Sequence, residues 1–130
     1  DRTPIDMVAY TLADVQRTNV SAEEAERLMG YIERCVAVTN RHFSALIIVQ
    51  PGIPVQETEK SAPGNVAYME HINALAMGLM VRSDIAATKH FIARGQIDLR
   101  ERVQAVHAAF KKTLRRHAES VAKEAVGILH

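Results

Sequence analysis

Hydrophobic residues recur every three or four positions along four stretches of the chain, which is the spacing of an amphipathic helix. These stripes predict helices over residues 4–17, 22–48, 66–93 and 99–128. Thr3 and Pro4 suit the start of the first helix. Ser21 and Glu24 have the spacing of a capping box before the second helix. The pattern therefore predicts one short helix and three long ones.

The end of the second helix has two readings. Its stripe continues in helical steps through Phe43 to Leu46, but the run from Ser44 to Val49 contains β-branched residues and could leave the helix as a short strand. The segment 51–65 that follows contains three prolines and two glycines, and it is predicted to be a loop. A loop of this length is more often functional than a short one.

The third helix is predicted to be apolar on all sides over residues 72–81, where Asn73 is the one polar residue. Such a helix is buried on several sides. Ala74 and Gly78 lie four residues apart and leave a smooth strip where another helix can approach. The pattern predicts that this helix lies at the centre of a bundle or in an oligomer interface. Gly95 is predicted to cap its end.

The fourth helix follows Asp98, a good N-terminal cap, and could reach almost 30 residues, or about 45 Å. Its apolar stripe takes steps of three and four along the whole length and has a single histidine. The members of the stripe are Leu99, Val103, Val106, Phe110, Leu114, His117, Val121, Ala125 and Ile128. We refer to these nine residues as the α4 stripe.

These elements predict an all-α fold, an elongated antiparallel helical bundle forming one domain over residues 1–130. A chain of 14.4 kDa buries about two-thirds of its surface on folding, which is enough for one core. Long helices in a small chain also leave an elongated surface. We therefore expect a dimer, with a monomeric four-helix bundle as the alternative. No apolar run is long enough to span a bilayer.

The net charge of +1 conceals an uneven distribution, with an acidic first half and a basic end. Lys111, Lys112, Arg115 and Arg116 form two adjacent rows on the fourth helix because each row pairs residues four apart. We call these four residues the basic cluster. They offer contacts for phosphate or an acidic partner, although a solvated helix face would look the same.

The sequence predicts neither a metal nor another cofactor. No two histidines have the spacing of a helical zinc site, and no nucleophile or phosphate-loop motif occurs. The single Cys35 falls on the apolar side of the second helix, where a free cysteine packs as a small hydrophobe. These absences favour a protein without enzymatic activity.

The first functional hypothesis is a helical interaction module with a regulatory or adaptor role. It would bind a second copy of itself, or a helix of another protein, through Leu75, Gly78, Leu79 and Phe110. The alternatives are a nucleic-acid-binding protein that uses the basic cluster and a sensor of a small molecule or metal. A cytoplasmic location is expected, or a periplasmic one for a sensor domain whose N-terminus has been processed.

Overall fold

The computed structural model describes residues 2–15, 18–53 and 65–129. Over these residues the chain forms four helices and two strands, in the order α1 (Pro4–Val15), α2 (Ala22–His42), β1 (Ala45–Val49), α3 (Val66–Met80), β2 (Thr88–Ile92) and α4 (Leu99–Ile128). The mainly helical class predicted from the sequence is confirmed. The structure adds a small parallel sheet to it.

The chain divides into two compact units. The first comprises Asp1–Phe43 and Ile53–Ala87, and the second comprises Ser44–Gly52 and Thr88–His130. Helices α1, α2 and α3 therefore belong to the first unit, and the sheet and α4 belong to the second.

Helix α1 is the centre of the first unit, since it packs against both α2 and α3. Its buried residues Ile5, Val8, Ala9 and Ala13 lie on one face. From α2 the apolar side contributes Ile32, Cys35, Val36 and Thr39. The sequence pattern predicted that α3 lies at the centre of a bundle or in an oligomer interface. Within the chain it is not the central helix, since Leu79 and Met80 are its only buried residues.

Helix α2 begins where the sequence predicts and ends earlier. The Ser21 side chain accepts a hydrogen bond from the Glu24 N–H, and Glu24 accepts one from the Ser21 N–H, so the capping box is confirmed. The helix ends at His42 because Phe43 takes an extended conformation, with φ −123° and ψ 118°. The β-branched run then forms β1, the second of the two readings.

Helix α3 ends at Met80, whereas the pattern predicted a helix to residue 93. After it, Asn40 of α2 holds the chain in a non-helical path. Its side chain donates to the Asp84 carbonyl at 2.7 Å and accepts from the Ala86 N–H at 2.8 Å. Residues 88–92 then form β2. Gly95 consequently lies after β2 and does not cap α3.

In the second unit β1 and β2 pair in parallel, with Ala45 opposite Thr88 and Val49 opposite Ile92. Leu46 and Ile92 are the buried residues of the two strands. Helix α4 packs against both strands. Its first turn is capped by Asp98, whose side chain accepts hydrogen bonds from the Arg100 and Glu101 N–H groups, as predicted. Most of the predicted loop 51–65 lies outside the described residues.

Candidate functional site

Helix α4 packs with one narrow face. Its buried residues are Arg102, Ala109 and Thr113. Ala105 and Val106, which lie between Arg102 and Ala109 in the sequence, are partly buried. At 3.6 residues per turn, Arg102, Ala109 and Thr113 fall within about 40° of one another around the helix axis. From residue 114 to residue 129 every side chain is exposed. The second half of the helix therefore extends beyond the last residue that is packed.

The α4 stripe does not coincide with the packing face. Its centre lies about 80° around the axis from the packed residues, again at 3.6 residues per turn. Consequently Phe110 is 56% exposed, Leu114 53% and Val121 52%. Of the nine residues, Val106 alone is partly buried. An amphipathic helix thus packs with one side and presents a neighbouring apolar side to solvent.

The α4 stripe also has an 11-residue period. Leu99, Phe110 and Val121 occupy equivalent positions, and so do the triplets that begin at Val103 and Val106. Because 11 residues make three turns of 3.67 residues, the stripe stays on one side of an almost straight helix. This period is readable in the sequence and is the signal that a search for heptads misses.

The other predicted interface residues lie on α3 in the first unit. Leu79 is buried, Leu75 is half-buried and Gly78 is exposed. A side chain at Gly78 would meet no atom within 4 Å. Phe110 belongs to the second unit. Of these four residues, Gly78 and Phe110 are therefore the two that present an open surface.

An open groove in the first unit is the feature that bears on the sensor alternative. It has a volume of about 690 Å³. The described residues that line it come from α1, α3 and the residue before α3, and they are Leu12, Ala13, Asn65, Ala67, Tyr68, His71 and Leu75. Its wall is mainly apolar, and it carries one imidazole and one phenol.

All four members of the basic cluster are exposed. Arg115 lies 3.7 Å from Glu119 on the next turn. Within the part of the chain that the structure describes, Lys111, Lys112 and Arg116 form no ion pair with a carboxylate. The cluster lies about 90° or more from the centre of the α4 stripe, at 3.6 residues per turn. The two predicted surfaces thus occupy different sides of one helix.

His90 of β2 adjoins the basic cluster. Its Nε2 lies 2.9 Å from Thr113 Oγ1, and the Thr113 hydroxyl donates its proton to the Ala109 carbonyl at 3.1 Å. With the hydroxyl proton directed at the Ala109 carbonyl, Thr113 Oγ1 accepts a hydrogen bond from Nε2–H of His90, and Nδ1 is then the unprotonated nitrogen of the neutral ring. Burial lowers the pKa of His90, and the charges of Lys112 and Arg116 lower it further.

Arg102 is a structural residue that sequence reasoning misses. It is 8% exposed, and its guanidinium donates to the carbonyls of Gln96 and Gln50, the latter at 2.9 Å. These bonds join α4 to Gln50, which directly follows β1, and to Gln96, which lies in the segment between β2 and α4. One terminal nitrogen, Nη2, is buried and has no hydrogen-bond partner among the described residues. Arg102 and Gln50 are 52 positions apart in the sequence, so no local pattern predicts this contact.

Other chemistry receives no support from the geometry of the described residues. No three His, Cys, Asp or Glu side chains among them gather in a way that would hold a metal ion. The thiol of Cys35 is buried. A membrane-crossing helix is likewise not found in the described part of the chain. Comparison with protein-family models, with curated proteins and with solved structures gives no match.

Proposed function

We propose that this protein is a non-enzymatic helical interaction module that forms a homodimer through the α4 stripe. The observation that carries the proposal is the exposure of this stripe beside the packing face of α4. Contiguous apolar patches of several hundred Å² on a folded protein mark interaction sites. A stripe about 45 Å long and one helix wide reaches that size.

The second half of α4 also argues for a partner. Beyond Thr113 no residue of this helix is buried. An isolated helix of about 15 residues is marginal in water, and most helices in proteins owe their stability to packing of an apolar face. A helix that covers Leu114, Val121 and Ile128 would supply that packing.

A second copy of the chain fits this surface for two reasons. The 11-residue period repeats one surface along the helix, so two stripes can face each other over their full length. In addition, the basic cluster lies away from the stripe, so that two copies can meet without bringing these charges face to face. His117 is the one polar residue of the stripe, and a polar residue at such a position fixes the register of paired helices.

The test compares two valines of α4 with almost equal exposure. Val121 lies in the stripe and is 52% exposed, and Val126 lies on the other side and is 56% exposed. Native mass spectrometry of the full chain should give a dimer for the wild type and for Val126→Glu. Val121→Glu should give a monomer with unchanged helical circular dichroism. A Val121→Glu protein that stays dimeric would contradict the proposal.

The part played by α3 in this assembly is tested at Gly78. A charge at Leu79 would be buried and would unfold the first unit. Gly78 has open space around it, so Gly78→Asp is expected to keep the fold. A loss of the dimer in Gly78→Asp would add α3 to the interface. An unchanged mass would assign the interface to α4.

Nucleic-acid binding is the second candidate function. It is favoured by the three members of the basic cluster that have no acidic partner among the described residues, Lys111, Lys112 and Arg116. Contacts to backbone phosphates release counterions, so the affinity for duplex DNA should fall steeply as salt is raised. Fluorescence anisotropy at low and at high salt measures this. The absence of binding at low salt would remove this candidate.

A further inference from the structure

We propose that Lys112 and Arg116, together with His90 of β2, form a binding site for a phosphate group, and that His90 takes up a proton from solvent when the phosphate binds. The site shares residues with the nucleic-acid candidate, but the inference does not depend on the dimer. A phosphate of either a nucleic-acid backbone or a small phosphate ester has the required chemistry.

The site combines groups from two elements. The hydrogen bond between His90 Nε2 and Thr113 Oγ1 fixes the ring of β2 against α4. Lys112 precedes Thr113 directly, and Arg116 lies three residues after it, one turn along the helix. Both cations are exposed and have no carboxylate partner within the described ranges. Two cations one turn apart therefore adjoin a ring whose orientation is already fixed.

The charges around His90 explain why it should take up a proton when a phosphate binds. Strand β1, which pairs with β2, carries no titratable side chain. Helix α4 brings Lys112 and Arg116 near the ring, and their charges lower its pKa together with burial. On β2 itself the neighbouring charged residue is Lys89. Burial is the largest cause of the lowered pKa, and the charges of Lys112 and Arg116 add to it. An anion held by these two cations offsets their part and favours the imidazolium form of His90.

The basic cluster has two rows, Lys111 with Arg115 and Lys112 with Arg116. Only the second row acts on the pKa of His90, and this makes the inference specific. Arg115 already has Glu119 at 3.7 Å, and neither Lys111 nor Arg115 contributes to the lowered pKa of His90. Replacement of Lys111 and Arg115 by glutamine removes the same charge from the same helix. The double variant Lys111→Gln/Arg115→Gln is therefore a matched control for Lys112→Gln/Arg116→Gln.

The experiment is a pH titration of the His90 ring by NMR on the full chain, with its signal assigned from a His90→Gln variant. Without ligand, Lys112→Gln/Arg116→Gln should raise the pKa of His90, and the control should not. Saturating inorganic phosphate or a short duplex DNA should raise the wild-type pKa by about half a unit. That rise should persist in the control and vanish in Lys112→Gln/Arg116→Gln.

Each outcome decides the inference. A rise with inorganic phosphate assigns the site to a small phosphate ester, and a rise with DNA alone assigns it to a nucleic-acid backbone. No rise with either probe, or a rise that survives in Lys112→Gln/Arg116→Gln, overturns the inference. DNA binding that depends on Lys111 and Arg115 instead would overturn it too, while the nucleic-acid candidate would stand.

Discussion

The two units differ in the balance of apolar and polar residues that they bury. Among the described residues, the first unit has most of the buried apolar side chains, drawn from α1, α2, α3 and the segment after α3. In the second unit the buried apolar residues are Leu46, Ile92 and Ala109, and beside them lie the polar residues Arg102 and Thr113. The first unit is therefore held mainly by apolar packing, and the second relies more on polar contacts between α4 and the strands.

Both units also expose apolar side chains, but the smaller second unit carries the larger share. Of the nineteen exposed large hydrophobic residues in the described part of the chain, eleven belong to the second unit and eight to the first. A compact unit of about 50 residues, the size of the second unit, buries only enough apolar surface for marginal stability of its own. The same unit exposes the α4 stripe, which is apolar at eight of its nine positions. Coverage of this stripe by a second copy would give the second unit the apolar burial that it lacks.

The largest expected effect comes from the core of the first unit. Met80 is 1% exposed, so Met80→Ala removes a fully buried side chain and leaves a cavity. The free energy of unfolding should fall by about 2–5 kcal/mol. Urea denaturation measures it. Met29, which is 51% exposed on α2, is the control, and Met29→Ala should change stability by less than about 0.5 kcal/mol. Equal effects of the two variants would contradict the packed core of the first unit.

The second unit should be most sensitive at a backbone contact. A methyl group on Gly52 would overlap the Arg94 carbonyl and the Arg102 guanidinium, so Gly52→Ala must shift the chain after β1. We expect a loss of about 1–3 kcal/mol in the free energy of unfolding.

Gly95 provides the matched control for Gly52, since a methyl group there meets no atom within 4 Å. Thermal unfolding of both variants, followed by circular dichroism, separates the two cases. If Gly95→Ala proves as harmful as Gly52→Ala, the close packing around Arg102 is not what limits the stability of this unit.

The starts of the helices could be predicted because their signals are local. Ser21 with Glu24 and Asp98 each bond backbone N–H groups within three residues, so the residue types reveal the cap. The ends of α2 and α3 depend on distant contacts. The path after α3 is held by Asn40, which forms hydrogen bonds with Asp84 and Ala86. These residues are 44 and 46 positions away along the chain. No spacing rule within the segment 81–93 contains that information.

The candidate surfaces could be predicted in part for a similar reason. Helical periodicity found the α4 stripe and the basic cluster, because both follow from the geometry of one helix. Periodicity could not say which side of α4 packs, and the packed side proved to be a neighbouring face that includes Arg102. The bond between His90 and Thr113 joins residues 23 positions apart, so it also required the structure.

The smallest expected effect is at the start of α2 and shows how little an exposed cap adds to the well-packed first unit. Ser21→Ala removes the side-chain acceptor of the capping box and should cost about 1 kcal/mol in the free energy of unfolding.

In the wild type, the hydrogen bonds that Glu24 accepts from Ser21 hold the pKa of its carboxyl below the ordinary value of 4.5. A lowered carboxyl pKa stabilises the fold above pH 4.5 and loses that contribution as the pH falls below it. The difference in the free energy of unfolding between wild type and Ser21→Ala should therefore become smaller in acid, because protonated Glu24 no longer stabilises the capping box. Urea denaturation at neutral pH and below pH 4.5 measures both differences. A difference that does not change with pH would mean that Ser21 stabilises the helix independently of Glu24. A loss of stability as large as that of Met80→Ala would mean that the first unit depends on its helix caps as much as on its core.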